Sequence, residues 1–150
     1  MKIEFAEEFP QDLKEITEPL INKWKLLIPS WCEYLGIVYL PKRDAVLSCS
    51  PNYRNRYATL FVTGAWFQEN QDEREIALIH EFVHILQSPF DDVANRIVED
   101  AFEKGSSMSE FVKSMLLDSS EATVEDIANA IFRIVNFKGG VKFMEIIKKT

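Results

Sequence analysis

The chain has 150 residues, of which 47% are apolar and 27% are charged, the composition of a single globular domain with a sizeable core. Its formal net charge of −7 argues against a general nucleic-acid binder, which would carry a basic face. No apolar run approaches the roughly 20 residues of a membrane span, so we expect no integral membrane segment.

The same composition indicates a cytoplasmic protein. The N-terminal stretch is acidic and lacks the apolar core of a signal peptide. The two cysteines, Cys32 and Cys49, are too few for a disulfide scaffold. We therefore expect free, partly buried thiols in a cytoplasmic protein.

The first half of the chain predicts one helix followed by three short strands. Apolar residues at helical spacing predict an amphipathic helix over residues 12–27, with a kink or a division into two shorter helices at Pro19. Residues 42–44, Lys-Arg-Asp, predict a hairpin turn between the first two strands, and residues 51–56 read as a polar loop. Runs of β-forming residues predict the strands themselves at residues 34–40, 45–49 and 57–63.

The second half of the chain predicts helices. Asp72 and Glu75 have the spacing of an N-terminal capping pair for a helix that ends at Ser88-Pro89. Another helix is expected over residues 91–104, closed by Gly105. The predicted fold class is α+β, with a small mixed or antiparallel sheet of about three strands, in one domain spanning residues 1–150. Further helices are predicted at residues 109–117, 123–137 and 141–148.

The two histidines of the chain lie four residues apart in the sequence His80-Glu81-Phe82-Val83-His84. Residues four apart share one face of a helix, so both imidazoles can bind one zinc ion. Glu81 lies about 100° further round the helix, within reach of a water molecule on that metal. The alternative interpretation is a pair of core histidines, but two stacked imidazoles beside a carboxylate are costly to bury without a partner. The pattern therefore predicts a metal site.

A catalytic zinc site usually has a third protein ligand. Neither cysteine is close to the motif in the sequence and the third histidine of the metzincin pattern is absent, so we expect a carboxylate. If the helices on either side of Ser88-Pro89 fold back on each other, Glu99 lies about 10 Å above the turn, as His80 does. Rotation round the helix does not separate Glu99 from Asp100. The longer Glu99 is the predicted ligand, Asp100 stays an alternative, and Glu103 could orient a histidine without touching the metal.

The pattern His80-Glu81-x-x-His84, followed by Glu99-x-x-x-Glu103, resembles the gluzincin branch of the zincin metallopeptidases. The order of predicted elements is also similar to that of the small minigluzincins, which include compact proteins common in phages and prophages. The resemblance implies zinc bound by His80, His84 and Glu99, with Glu81 as the general base.

The resemblance further implies that the predicted strand at residues 57–63 could be the sheet edge that lines the cleft. Two features differ from the larger gluzincins. The gap from His84 to the next glutamate is shorter, and Glu103 stands where those proteins have Asp. No His or Tyr follows His84, although such a residue helps the larger proteins to polarise the substrate carbonyl. That role would be vacant or would fall to Arg96, Arg133, Tyr53 or Tyr57.

The predicted function is that of a zinc-dependent metallopeptidase, which hydrolyses peptide or protein substrates through a metal-bound water activated by Glu81. The alternative is a catalytically weak, zincin-like metal-binding or regulatory protein of phage or mobile-element origin. A third interpretation is a structural domain with a vestigial motif. The expected cofactor is Zn²⁺ and no nucleic-acid or membrane partner is expected, while the sequence leaves the oligomeric state open.

Overall fold

A computed structural model describes residues 1–42 and 45–136, and it has the predicted α+β class. Two short 3₁₀ turns, at Lys25–Leu27 and Trp66–Gln68, accompany the main elements. Those elements, in chain order, are β1 (Lys2–Phe5), α1 (Gln11–Trp24), β2 (Tyr34–Leu40), β3 (Leu47–Asn52), β4 (Tyr57–Thr63), α2 (Gln71–Ala101) and α3 (Ser107–Asn136).

The four strands form one mixed sheet with the order β1-β2-β4-β3. β2 pairs in parallel with both β1 and β4, while β3 pairs with β4 in the antiparallel sense. The predicted hairpin between β2 and β3 is wrong, because β4 lies between these two strands. Of the turn predicted at residues 42–44, Arg43 and Asp44 lie outside the described residues. β4, which was expected at the sheet edge, is an interior strand, and the edge beside it is β3.

The first strand, β1, has no counterpart among the predicted elements. Its sequence, Lys-Ile-Glu-Phe, alternates polar and apolar residues with the period of a strand, but over only four positions. It is held by parallel pairing with β2, so its register depends on residues about thirty positions further along the chain. A run this short carries too little pattern to predict a strand without that partner.

One face of the sheet is buried against the helices. The side chains of β2 and β4 alternate in burial, with Leu35, Ile37, Leu60 and Val62 fully inaccessible to solvent. The helices α1, α2 and α3 all contribute to this core, through Ile21 and Trp24, through Leu78, Phe82 and Ile85, and through Val124 and Ala128. The sheet and core therefore fix the orientation of α2, the helix that carries the two histidines.

Prolines lie inside two helices, where the sequence predicted a kink or a division at Pro19 and a turn at Ser88-Pro89. α1 continues through Pro19 and is not divided into two shorter helices. α2 continues through Pro89 for a total of 31 residues, so the expected turn at Ser88-Pro89 is wrong. Pro89 has no N–H to donate to the carbonyl of Ile85, which removes one hydrogen bond from the helix. The helix nevertheless continues beyond Pro89 to Ala101, with α3 alongside it.

The ends of the long helices also differ from the prediction. α2 begins two residues earlier than expected, at a capping box in which the Asn70 side chain accepts from the backbone N–H of Glu73, at 3.0 Å. α2 ends at Ala101, before the predicted limit, and Gly105 adopts a φ of +77° in the connection that follows.

α3 is one helix of 30 residues in place of the two predicted ones. Its serine-rich middle was expected to be a break, but the hydroxyl of Ser120 accepts a hydrogen bond from Gln87 of α2, at 2.9 Å. The last predicted helix, at residues 141–148, lies outside the described residues. α3 runs antiparallel to α2, which brings the middle of α3 beside the histidines.

Candidate metal centre

The two histidines project from the side of α2 that faces α3. Because Leu78, Phe82 and Ile85 are buried in the core, the histidine face of the helix is turned away from the sheet. The Nε2 atoms of His80 and His84 lie 3.0 Å apart, and the two side chains are 19% and 17% exposed. The predicted stacking of the two imidazoles on one helix face is therefore present.

A carboxylate from α3 completes a three-residue cluster. One oxygen of Glu121 lies 3.4 Å from His80 Nε2, and the other lies 3.4 Å from His84 Nε2. One donor atom from each of the three residues can be chosen so that all lie within 4.8 Å of one another. The Glu121 side chain is half exposed, so the cluster is open to solvent on one side.

The spacing of these donor atoms can be compared with that around a small divalent cation. Tetrahedral zinc with nitrogen and oxygen donors at about 2.0–2.2 Å keeps neighbouring donors about 3.3–3.6 Å apart. Each imidazole Nε2 lies 3.4 Å from a different oxygen of Glu121, within that range, and the separation between the imidazole nitrogens is slightly shorter, at 3.0 Å. Two imidazoles and one carboxylate are also a donor set of catalytic zinc sites. His80, His84 and Glu121 could therefore hold a metal ion.

A second carboxylate from α3 orients one of the imidazoles. Glu125, one turn after Glu121, places an oxygen 3.2 Å from Nδ1 of His80. The side-chain amide of Asn129 donates to this carboxylate, at 2.8 Å. A carboxylate on Nδ1 favours the tautomer in which that nitrogen carries the proton and Nε2 keeps its lone pair for a metal. This role was considered for Glu103, which follows the end of α2 and has no such contact among the described residues.

Glu81 lies apart from the cluster, on the side of α2 that faces the edge strand β3. It is 9% exposed, and the Cys49 thiol of β3 donates to its backbone carbonyl, at 3.4 Å. Burial raises the pKa of Glu81, while a hydrogen bond from the Cys49 side chain and the nearby His80 and His84 partly offset the increase. Burial also raises the pKa of Cys49, so its thiol stays protonated and can donate. Glu81 is therefore a sheltered carboxylate next to, but not part of, the histidine–glutamate cluster.

The structure does not bring Glu99 or Asp100 to the histidines. Their predicted position depended on a turn at Ser88-Pro89, but α2 passes through those residues as one helix. Glu99 is fifteen residues after His84, which corresponds to about 22 Å along the helix axis. Its carboxylate lies 3.7 Å from the ammonium group of Lys113. Both acidic residues are exposed, in positions where an ordinary solvated surface explains them.

Glu121 was missed because its position depends on how two long helices pair. It is 37 residues after His84 and falls between the two helices that were predicted for this part of the chain. A signal was nevertheless present. Glu121 and Glu125 are four residues apart, and Val124 and Ala128 beside them have the spacing of an inward face. Extending the helix predicted at residues 123–137 by one turn would have made Glu121 a candidate.

Two cavities adjoin the cluster, one on each side of it. The first, of about 460 Å³, lies between β3, α2 and α3, and its lining includes Leu47, His80, Glu81, Glu125 and Asn129. The second, of about 500 Å³, lies between α2 and α3 further along, and its lining includes His84, Gln87 and Glu121. Neither cavity is lined by the residues considered for polarising a substrate carbonyl, namely Arg96, Arg133, Tyr53 and Tyr57.

Comparisons of this chain with models of protein families, with curated proteins and with solved structures give no match. Within the described residues, no helix is long and apolar enough to cross a membrane. Both cysteines are free thiols, as predicted, with Cys32 buried and Cys49 partly buried.

Proposed function

We propose that this protein is a zinc-dependent metallopeptidase of the zincin type. The observation that carries the proposal is that two imidazoles from α2 and the carboxylate of Glu121 from α3 converge on one point. Glu81 lies next to this cluster but is not one of its three residues. Histidines that only fill the core would have no reason to contact a carboxylate from a second helix, or to lie in a cluster that is open to solvent on one side. The proposal takes Glu121, in place of Glu99, as the third ligand.

In this proposal His80, His84 and Glu121 hold the zinc ion, and Glu125 orients His80 through its Nδ1 atom. Zinc in such a site supplies Lewis-acid activation of a water molecule and of the scissile carbonyl. Glu125 lies outside the ligand set, and its effect is to keep the Nε2 lone pair of His80 directed at the cluster.

Glu81 acts as the general base. It adjoins the first ligand and lines the cavity between β3 and the two helices, where an attacking water molecule has room to lie. Its carboxylate takes a proton from that water and passes it to the leaving amine. Its burial favours this role, since a sheltered carboxylate holds a proton more readily than an exposed one.

The edge strand β3 offers a place for an extended substrate. Pro51 has no N–H, so its antiparallel pair with Ala58 is one without ladder hydrogen bonds. Because the pattern alternates along the ladder, the backbone groups of Leu47 and Cys49 also point away from β4, toward the open edge. An extended peptide can pair with these groups and pass beside Glu81. Such an edge is what the resemblance to zincins implies, although it is formed by β3 and not by β4.

The alternative is a zincin-like protein that binds metal but cleaves nothing efficiently. One observation favours it. The cavity beside Glu81 contains Glu69, Glu73 and Glu125 but no tyrosine, histidine or arginine beyond the motif that could stabilise a developing oxyanion. Asn129, the remaining polar residue in that lining, already donates to Glu125.

The variant Glu81→Gln separates the two functions. It keeps the size of the side chain but removes the base. We expect it to retain zinc and to lose peptide hydrolysis by roughly 10²-fold or more, the scale of lost general-base catalysis. The measurement is cleavage of a mixed peptide library, together with the zinc content of each protein.

Glu99→Gln is the matched control, because it removes a carboxylate from the same helix far from the cluster. It should leave both zinc content and hydrolysis unchanged. Equal cleavage by wild type and Glu81→Gln would contradict the proposed mechanism. Zinc binding without cleavage by wild type would establish the alternative.

A further inference from the structure

The far parts of α2 and α3 form a helical hairpin with little core of its own. We call residues 86–101 of α2 and 107–120 of α3 the distal hairpin. Within these described residues only Ser88, Val98 and Ser109 are buried. Helices in proteins are stabilised mainly by packing of an apolar face, and three buried residues, two of them serines, supply little of it.

The distal hairpin has few buried apolar side chains, but it has several exposed ones on its surface. On α2, Leu86, Phe90, Val93 and Ile97 follow one another at intervals of four, three and four residues, which is the spacing of one helix face. Between 48% and 75% of each of these residues is exposed. Isolated exposed apolar residues are common, but a continuous stripe along a helix indicates a contact surface.

α3 carries a matching stripe. Met108, Phe111 and Met115 are three and four residues apart, and their exposed fractions lie between 55% and 59%. Aromatic residues and methionine are enriched in protein interfaces, and this stripe contains only these types.

The two stripes lie on the same side of the hairpin. The positions at which the helices face each other are marked by buried Val98 on α2 and buried Ser109 on α3. In each helix a residue of the exposed stripe directly precedes the facing residue: Ile97 precedes Val98, and Met108 precedes Ser109. Because the two helices are antiparallel, this shared offset places both stripes on the same side of the hairpin. The opposite offset should bring side chains together on the other side. Glu99, one residue after Val98, does contact Lys113, which lies one helical turn after Ser109, at 3.7 Å.

We infer that this surface, the distal apolar face, is the contact through which two copies of the chain associate. At roughly 150–200 Å² for a fully exposed side chain of this size, its seven residues expose about 600–800 Å². A standard interface buries about 800 Å² on each partner. The distal apolar face by itself therefore comes close to what a specific dimer requires.

A second copy suits this surface because a two-fold axis places identical faces against each other. Two hairpins packed face to face make a four-helix bundle, in which the stripes of all four helices become a shared core. Each distal hairpin is then half of a bundle, which accounts for its lack of internal packing. This inference does not depend on the proposed peptidase activity.

Sedimentation velocity of the full chain tests the inference directly. Interfaces of this size have dissociation constants of about micromolar or tighter, so wild type should be dimeric at tens of micromolar and dissociate on dilution. Phe90→Glu/Ile97→Glu should weaken association by at least tenfold, since each glutamate would be buried against an apolar surface. Phe111→Glu, on the other helix, should act in the same direction.

Leu26→Glu is the matched control. Leu26 is 91% exposed and lies in the 3₁₀ turn after α1, away from the distal hairpin. It should leave the dimer intact, and circular dichroism checks that each variant is folded. Wild type that stays monomeric at all these concentrations overturns the inference. A dimer that survives both Phe90→Glu/Ile97→Glu and Phe111→Glu also overturns it, because the contact then lies elsewhere.

Discussion

The two halves of α2 have similar apolar residues at similar spacing but different surroundings. In the first half, Leu78, Phe82 and Ile85 are fully buried against the sheet. In the second half of this helix, Val98 is the one buried apolar side chain, and Phe90 is 75% exposed. Periodicity shows that a helix has a contact face, but it does not show whether the same chain supplies the partner.

Two acidic residues of the helix, one in each half, differ in the same way. In the first half, Glu75 is buried and receives hydrogen bonds from Lys23 and from the indole N–H of Trp24. In the second half, Glu99 is exposed and has only a long contact with Lys113. The histidine motif belongs to the packed half, where a rigid core fixes the direction of both imidazoles.

The comparison between the halves predicts its largest effect for two phenylalanines. Phe82→Ala should lower the free energy of unfolding by about 3–5 kcal/mol, because it leaves a cavity in the core. Phe90→Ala should change it by less than about 0.5 kcal/mol in dilute protein, because most of that side chain is already in water. Urea denaturation of both variants measures the difference. Similar losses would mean that the second half of α2 is packed after all.

Two glutamates provide a smaller contrast. Glu75→Gln should lower the free energy of unfolding by about 1–3 kcal/mol, because it weakens charge-assisted hydrogen bonds in a buried position. Glu99→Gln should change it by less than about 0.5 kcal/mol, as expected for an exposed ion pair. Equal effects of the two substitutions in thermal or urea unfolding would contradict the burial of Glu75.

The contribution of Glu75 to stability should depend on pH. Burial opposes ionisation of Glu75, but the hydrogen bonds from Lys23, Gln71 and Trp24 outweigh it and lower the pKa below the ordinary value of 4.5. The stabilisation is therefore complete above that ordinary value and is lost as the pH falls through the folded-state pKa. The gap in stability between wild type and Glu75→Gln should shrink over that acidic range. A gap that is constant down to the acid transition would show that Glu75 is not a preferentially ionised group.

The sequence predicted an element well where a residue such as proline or glycine marks its end. β2 and β4 have the predicted limits, and Pro41 and Gly64 mark two of those limits. Sheet order was not predictable, since the parallel pairing of β2 with β4, which places β4 between β2 and β3, leaves no trace in either strand alone. Pro89 was a misleading signal, because its missing N–H and its ring disfavour a helix interior, yet α2 continues through it.

The candidate site follows the same rule: its local part was predictable and its non-local part was not. His80, Glu81 and His84 lie within one helical turn, so their mutual arrangement follows from the helix itself. The third carboxylate depends on the antiparallel pairing of α2 and α3, and the wrong turn at Pro89 directed the prediction to Glu99 in place of Glu121. A single misplaced helix end thus changed the expected ligand set.

Metal content therefore tests the site most directly, with Glu121→Ala and Glu99→Ala compared in one elemental analysis of proteins purified without added metal. We expect wild type to hold about one equivalent of zinc, His80→Ala and His84→Ala to lose tight binding, and Glu121→Ala to lose most of it, because each removes a donor. Glu99→Ala should keep the full equivalent. The reverse result, with zinc lost from Glu99→Ala and retained in Glu121→Ala, would contradict the site.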